Sequence, residues 1–201
     1  MERRFEAAEA TLHRAGERTL AMAGEITFER LTRADLPLMH RWLNNAEVAL
    51  WYGVGDDNRK NPTIDEVIAE YEENFVPDPK NLAFVILLDG RQIGYIQCYR
   101  LGDYPDYAKE LDEDPDAWAI DILIGEDVRG QGVGARAIER LVEEHIFSRP
   151  AVTTCFISPD PENERAKRAY ARAGFRYVKT VWLESEKGYE YVMRRDRGGD
   201  A

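Results

Sequence analysis

The spacing of apolar and polar residues changes several times along the chain, and each change predicts an element. Ile26–Leu31 alternates apolar with polar positions, which predicts a first strand. Leu36, Met39, Trp42 and Leu43 then recur at helical spacing behind Thr32 and Asp35, residue types that open helices. Pro37 is awkward if Thr32 is the cap, and capping at Ala34 or Asp35 removes the conflict by keeping the proline in the first turn. Trp51–Pro62, rich in Gly, Asp and Asn, predicts a loop, followed by a helix from Thr63 to Phe75. Strands at Leu82–Leu88 and Gln92–Arg100 flank Asp89-Gly90, a strong hairpin signal.

Leu101–Asp116 reads as a long polar loop and Ala117–Ile124 as another strand. A glycine-punctuated turn then opens an amphipathic helix running to Phe147. A strand (Val152–Ile157), a helix (Asn163–Ala173) stopped by Gly174, and two final strands (Phe175–Leu183 and Tyr189–Arg194) complete the order β-α-α-β-β-β-α-β-α-β-β. No repeat or linker interrupts it. The expectation is one mixed α/β domain over residues 25–196, with an N-terminal extension (1–24, helical or disordered) and a short tail (197–201).

With 201 residues, 44% of them hydrophobic, the chain can bury a full core. No apolar run approaches the ~20 residues that span a bilayer. The N-terminus begins basic but carries charges throughout, unlike a secretory signal, and Met22 is a possible alternative start. A cytoplasmic protein, monomeric or homodimeric, is expected. The net charge of −11 repels nucleic-acid phosphate and anionic membrane and attracts cations, although it also serves solubility. Cys98 and Cys155 sit in separate apolar segments and read as buried free thiols. His13, His40 and His145 lack metal-ligand spacing, so no metal site is expected.

The sharpest chemical signal is Arg129-Gly130-Gln131-Gly132-Val133-Gly134. Glycines at alternate positions let the backbone approach a ligand closely and adopt positive φ. The N–H groups of such a loop and of the following helix cradle an anion, and Arg129 adds a cation at the mouth. A pyrophosphate is the natural guest, and a glycine turn without a ligand is the alternative. Gly132-x-Gly134-x-x-Ala137 also fits a loose dinucleotide fingerprint, but that reading needs the loop after the first strand of a βαβ unit. Three strands in hairpin order precede it here. The absence of Gly-Lys-[Ser/Thr] excludes a P-loop.

Arg129-x-x-Gly132-x-Gly134 between an apolar strand and an amphipathic helix resembles the acyl-CoA pyrophosphate motif of the GNAT superfamily. Asn163-x-x-Ala166-x-x-x-Tyr170-x-x-x-Gly174-Phe175 resembles its second coenzyme motif. The resemblance implies the GNAT fold, with a mostly antiparallel central sheet of about six or seven strands and helices on both faces. It further implies acetyl-CoA as acyl-donor cosubstrate. Strand residues Asp121–Ile124, Leu123 and Ile124 among them, would diverge from the next strand and pair with pantetheine amides. Asn163 and Ala166 would bind the same arm. Tyr170 is either a core aromatic or the acid that protonates the departing thiolate.

Trp42-Leu43-Asn44, Trp51-Tyr52-Gly53, Gly94–Tyr99 and Ala119–Gly125 are similar to segments of aminoglycoside 6′-N-acetyltransferases, and siderophore-type lysine acyltransferases share much of this. The latter tend to carry a histidine two residues beyond the strand aspartate, where this chain has Leu123. The resemblance places Asp121 against the transferred acyl group as the base for a small cationic amine substrate. The alternative for Asp121 is a strand-end residue bonded to a neighbouring loop. Trp51 and Gln97 are implied as substrate-binding positions. Asp103, Asp106, Glu110, Asp112, Glu113, Asp114 and Asp116, opposed by Lys109 alone, form either a solvated loop or an anionic trough in which Tyr104, Tyr107 and Trp118 stack on sugar rings. Glu184 and Glu186 either add acid or lie on a simple hairpin surface. Where the relatives place an aspartate before the proline of the fifth strand, this chain has Ser158-Pro159, which leaves Asp160 as the displaced substrate carboxylate. Other amines, such as a siderophore lysine or a polyamine, and a non-catalytic acyl-CoA-binding module remain the competing functions.

Overall fold

The computed structural model describes residues 24–54, 58, 60–126, 128, 131–184 and 187–198. The expected extension therefore lies almost entirely outside the described residues, as do Arg129, Gly130 and Glu186 of the expected site. Seven strands form one sheet in the order β1-β2-β3-β4-β5-β7-β6. They are β1 (Ile26–Arg30), β2 (Leu82–Leu88), β3 (Arg91–Arg100), β4 (Trp118–Ile124), β5 (Thr154–Ile157), β6 (Arg176–Leu183) and β7 (Gly188–Asp196). Neighbours run antiparallel except β4 and β5, which are parallel.

Helices cover both faces. The sequence LAFVILL of β2 is apolar at every position because successive side chains point into two different cores. Phe84 and Ile86 face α5 (Val133–Leu141), beside Ile120, Ile138 and Leu141. Ala83, Val85 and Leu87 face α1 (Leu36–Leu43) and α3 (Ile64–Tyr71), beside Met39, Trp42 and Val67. Asp35 is the N-cap of α1, which puts Pro37 in the first turn, where its missing N–H costs no helical bond. Thr63 and Glu66 form a reciprocal capping box on α3. Asp89 and Gly90, both at positive φ, close the β2–β3 hairpin.

Two elements differ from expectation. A short helix, α2 (Ala46–Ala49), precedes the 51–62 loop, and Leu101–Asp116 is not a loop. After a 3-10 turn at Leu101–Asp103 it forms α4 (Pro105–Leu111), closed by a left-handed Asp112. Leu101, Ala108 and Leu111 are buried in a third cluster with Phe156, Leu183 and Val192. Ala108 and Leu111 lie three apart on the buried side of α4, but the surrounding acids hide them in the sequence. The helix after the glycine turn also widens into a π-helical turn at Val142–Ile146 before ending. Cys98 and Cys155 are buried and unbonded to each other, as expected.

Candidate active site

The parallel pair β4–β5 is joined only at Trp118–Cys155 and Ala119–Phe156. Beyond Ala119 the strands separate, while β4 stays paired to β3 through Ile124. One edge of Ile120–Ile124 therefore has no β5 partner, and it opens into a cleft of about 1510 Å³. That volume exceeds the ~300–1,000 Å³ of a usual small-molecule pocket, leaving room for a long cosubstrate beside a second substrate.

On one side the cleft meets the N-terminus of α5. Gly132 caps this helix in the left-handed conformation (φ 74°) and, being glycine, makes no side-chain cap bond to the first-turn N–H groups. No acid occupies that first turn either. Gly132, Val133 and Gly134 line the cleft, so the first-turn N–H donors and the positive helix end lie at it. The exposed Gln131 is not among the lining residues. On the β5 side runs α6 (Glu164–Arg172), capped by Asn163, whose Oδ1 accepts from the Ala166 N–H at 3.0 Å. Asn163, Ala166 and Tyr170 all line the cleft. Burial pushes the Tyr170 hydroxyl well above its usual range, with the Asp121 charge adding to the shift.

Asp121 lines the cleft, two residues beyond the last β4–β5 pair. Gln97, its cross-strand partner on β3, donates Nε2–H to Asp121 Oδ2 at 2.7 Å. The Tyr95 hydroxyl donates to Gln97 Oε1 at 2.6 Å and so fixes which end of the amide faces the carboxylate. Burial raises the proton affinity of Asp121 above the ordinary carboxylate range, and the Gln97 hydrogen bond opposes that shift. Burial pushes the Tyr52 and Tyr71 hydroxyls well above their usual range, and the Asp121 charge adds to both shifts.

The family comparison agrees with this geometry. Residues 32–183 match the model of the acetyltransferase (GNAT) domain. The chain belongs to the GNAT acetyltransferase family. It is 32% identical over 157 residues to aminoglycoside N(6′)-acetyltransferase type 1 of Klebsiella pneumoniae, covering 78% of this chain and 76% of that protein. Among solved structures it is similar to AAC(6′)-Ib in complex with ribostamycin and coenzyme A (TM-score 0.76, 29% identity, 88% of this chain and 99% of that one). It is also similar to AAC(6′)-Ib in complex with coenzyme A and kanamycin (TM-score 0.74, 29% identity, 86% and 95%).

Within this GNAT cleft, most of the expected residues come together: Asp121, Gln97, Trp51, Asp103 and Asp160 line it, as do Leu123 and Ile124. Trp118 does not. It lies three positions from Asp121 on one strand, so the pleat turns it to the opposite face, where it packs on the α5 core and the Arg149 guanidinium sits 4.4 Å from its ring. Glu184 is also absent from the lining, since its carboxylate accepts from Trp182 Nε1 two residues back, at 2.9 Å. From that hairpin Gly188, Tyr189 and Glu190 line the cleft instead.

The acidic run is only in part a trough. Glu113 pairs with Lys179 at 2.8 Å and Asp116 with Arg100, while Asp114 accepts from the Asp116 N–H at 2.8 Å. Asp103 and Asp106, with Tyr104 and Tyr107, are the members that line the cleft. Asp160 lines it too, but its Oδ1 accepts from the Glu162 N–H at 2.7 Å. Sequence reasoning missed Tyr52, Glu70, Tyr71 and Asn74, which lie in the loop and helical segment before β2. Nothing in their spacing separates a cleft-facing polar residue from a solvated one. Among the described residues, no helix is long and apolar enough to cross a membrane, and no His, Cys, Asp and Glu cluster suits a metal ion.

Proposed function

We propose that the protein transfers the acetyl group of acetyl-CoA to a primary amine of an aminoglycoside, the 6′-amine, by direct attack while both substrates occupy the cleft. The observation that carries this reading is the position of Asp121. A partly buried carboxylate with raised proton affinity stands where a paired strand edge opens beside a helix N-terminus headed by glycine.

The structural fit to acetyl-CoA rests on two features of this chain. The free edge of β4 offers N–H and C=O groups to the amides of an extended pantetheine arm, and the α5 N-terminus offers N–H donors to its pyrophosphate. The amine arrives as an ammonium, with a pKa near ~10, and cannot attack in that form. Asp121, oriented by Gln97, accepts its proton. The freed nitrogen attacks the thioester carbon, the C–N bond forms and the C–S bond breaks. Tyr170, kept protonated by burial, supplies the proton to the leaving sulfur and is restored by the second proton, which the nitrogen loses as it becomes an amide. Asp103, Asp106 and Glu70 give the substrate side an acidic lining suited to a polycation.

The relatives bearing the name aminoglycoside N(6′)-acetyltransferase, and the AAC(6′)-Ib complexes with ribostamycin and kanamycin, support this substrate class. A thiol-release screen tests it. Acetyl-CoA with an aminoglycoside carrying a 6′-amine should release free thiol, with mass spectrometry showing one added acetyl group. Equal rates for compounds with and without that amine would reject the 6′ assignment, and no release with any aminoglycoside would reject the substrate class.

A further inference from the structure

The 3-10 turn Glu72–Phe75 that follows α3 carries the one buried polar residue of the described chain, Asn74, 8% exposed. It lines the cleft, and its Oδ1 is buried without a hydrogen-bond partner. Only one other buried side-chain polar atom among the described residues lacks a partner. That is Nη1 of Arg195, which lies away from the cleft and whose Nη2 still pairs with Glu143 at 2.5 Å.

A second carboxamide nearby gives the contrast. Asn81 also lines the cleft, but its Oδ1 already accepts from the Tyr104 hydroxyl at 2.8 Å. The Asn74 oxygen has no such donor. A buried acceptor without a donor costs stability, so folded chains rarely keep one unless something else satisfies it. An apolar residue of similar size would fill the same space at no such cost. Polar groups that break this rule concentrate where a ligand completes them.

On the reading that the cleft takes an aminoglycoside, we propose that Asn74 is a specificity-determining acceptor for a second polar group of that substrate. Asp121 and Gln97 hold the reacting nitrogen from the sheet. Asn74 lies in the 3-10 turn after α3, a different element, so it engages a hydroxyl or ammonium elsewhere on the molecule. Glu70, four residues earlier, also lines the cleft and adds negative potential. The contact forms with bound substrate and persists in the transition state, so it governs KM rather than kcat.

The test compares wild-type protein with Asn74→Leu and Asn74→Asp, using kanamycin and acetyl-CoA. Asn74→Leu should keep or raise Tm without ligand and leave coenzyme A affinity unchanged. It should also raise KM for kanamycin at least about fivefold, the scale of one lost hydrogen bond, with kcat little altered. Asn74→Asp keeps an acceptor and should hold KM within about twofold or lower it. A fall in Tm with unchanged KM would give Asn74 a purely structural role and overturn the proposal, while thiol release by the wild type would leave the functional reading intact. Wild-type protein that acetylates no aminoglycoside would overturn both. If Asn74→Leu fails to fold, Asn74→Asp decides alone: a KM raised beyond about fivefold contradicts acceptance of a substrate donor.

Discussion

Gln97 Nε2 donates to Asp121 Oδ2 at 2.7 Å across two paired strands, and this bond opposes the rise in proton affinity that burial gives the carboxylate. The amide is held in that sense by Tyr95, whose hydroxyl occupies the amide oxygen. Without Tyr95 the amide can turn and present its oxygen to the carboxylate. Lone pair would then face lone pair, and the protonated acid would be favoured.

Tyr95→Phe should therefore move the acid limb of the kcat/KM pH profile to higher pH, since Asp121 must be ionised to act as base. The KM for acetyl-CoA should stay unchanged. An acid limb at the same pH in Tyr95→Phe would show that Gln97 needs no help to keep its orientation.

Asp121 also links activity to stability. Burial raises its proton affinity in the folded chain, so between the ordinary carboxylate range and the raised value the folded state holds a proton that the unfolded state has lost. Stability contributed by this group falls as pH rises through that window and stays lower above it. Asp121→Asn cannot ionise, so at neutral pH its Tm should equal or exceed that of the wild type. The advantage should shrink as pH drops toward 4. Thermal melts across that range check both sign and window.

Gly132 holds φ 74° at the head of α5, with nothing within 4 Å of where a Cβ would project. The demand for glycine is conformational. Gly132→Ala should cost about 1–2 kcal/mol at that turn, or move it away from the left-handed region. The N–H groups facing the cleft would be displaced, and KM for acetyl-CoA should rise at least about threefold while the amine KM holds. A changed amine KM alone would separate the turn from coenzyme binding.

Tyr170→Phe tests the departing thiolate. Burial keeps this hydroxyl protonated far into the alkaline range, so wild-type activity should show no loss from its ionisation near pH 10. The variant should lose on the order of tenfold or more in kcat with little change in either KM, measured by steady-state thiol release. A kcat within twofold of wild type would leave Tyr170 as a packing residue.

The sheet is legible because β2 is apolar throughout, β1 alternates and Asp89-Gly90 turns sharply, and the starts of α5 and α6 are legible because glycine and a capping asparagine act locally. Trp118 falls outside the cleft because its odd separation from Asp121 puts the two on opposite faces of β4. The acidic run between Asp103 and Asp116 hid α4, since Leu101, Ala108 and Leu111 are sparse among charges and only tertiary packing tells which acids pair with Arg100 and Lys179. The roles of Tyr52, Glu70 and Asn74 were beyond reach. A long loop and a helix fold over the sheet to bring them to the cleft, and residues more than twenty positions from Gln97 carry no local mark of meeting it.

Thiol release by Asp121→Asn, with kanamycin and acetyl-CoA, bears most directly on the claim that this carboxylate prepares the amine for attack. The variant should lose at least about tenfold in kcat/KM while binding coenzyme A with the same heat as the wild type. Turnover equal to wild type in a variant that binds the coenzyme normally would contradict the account.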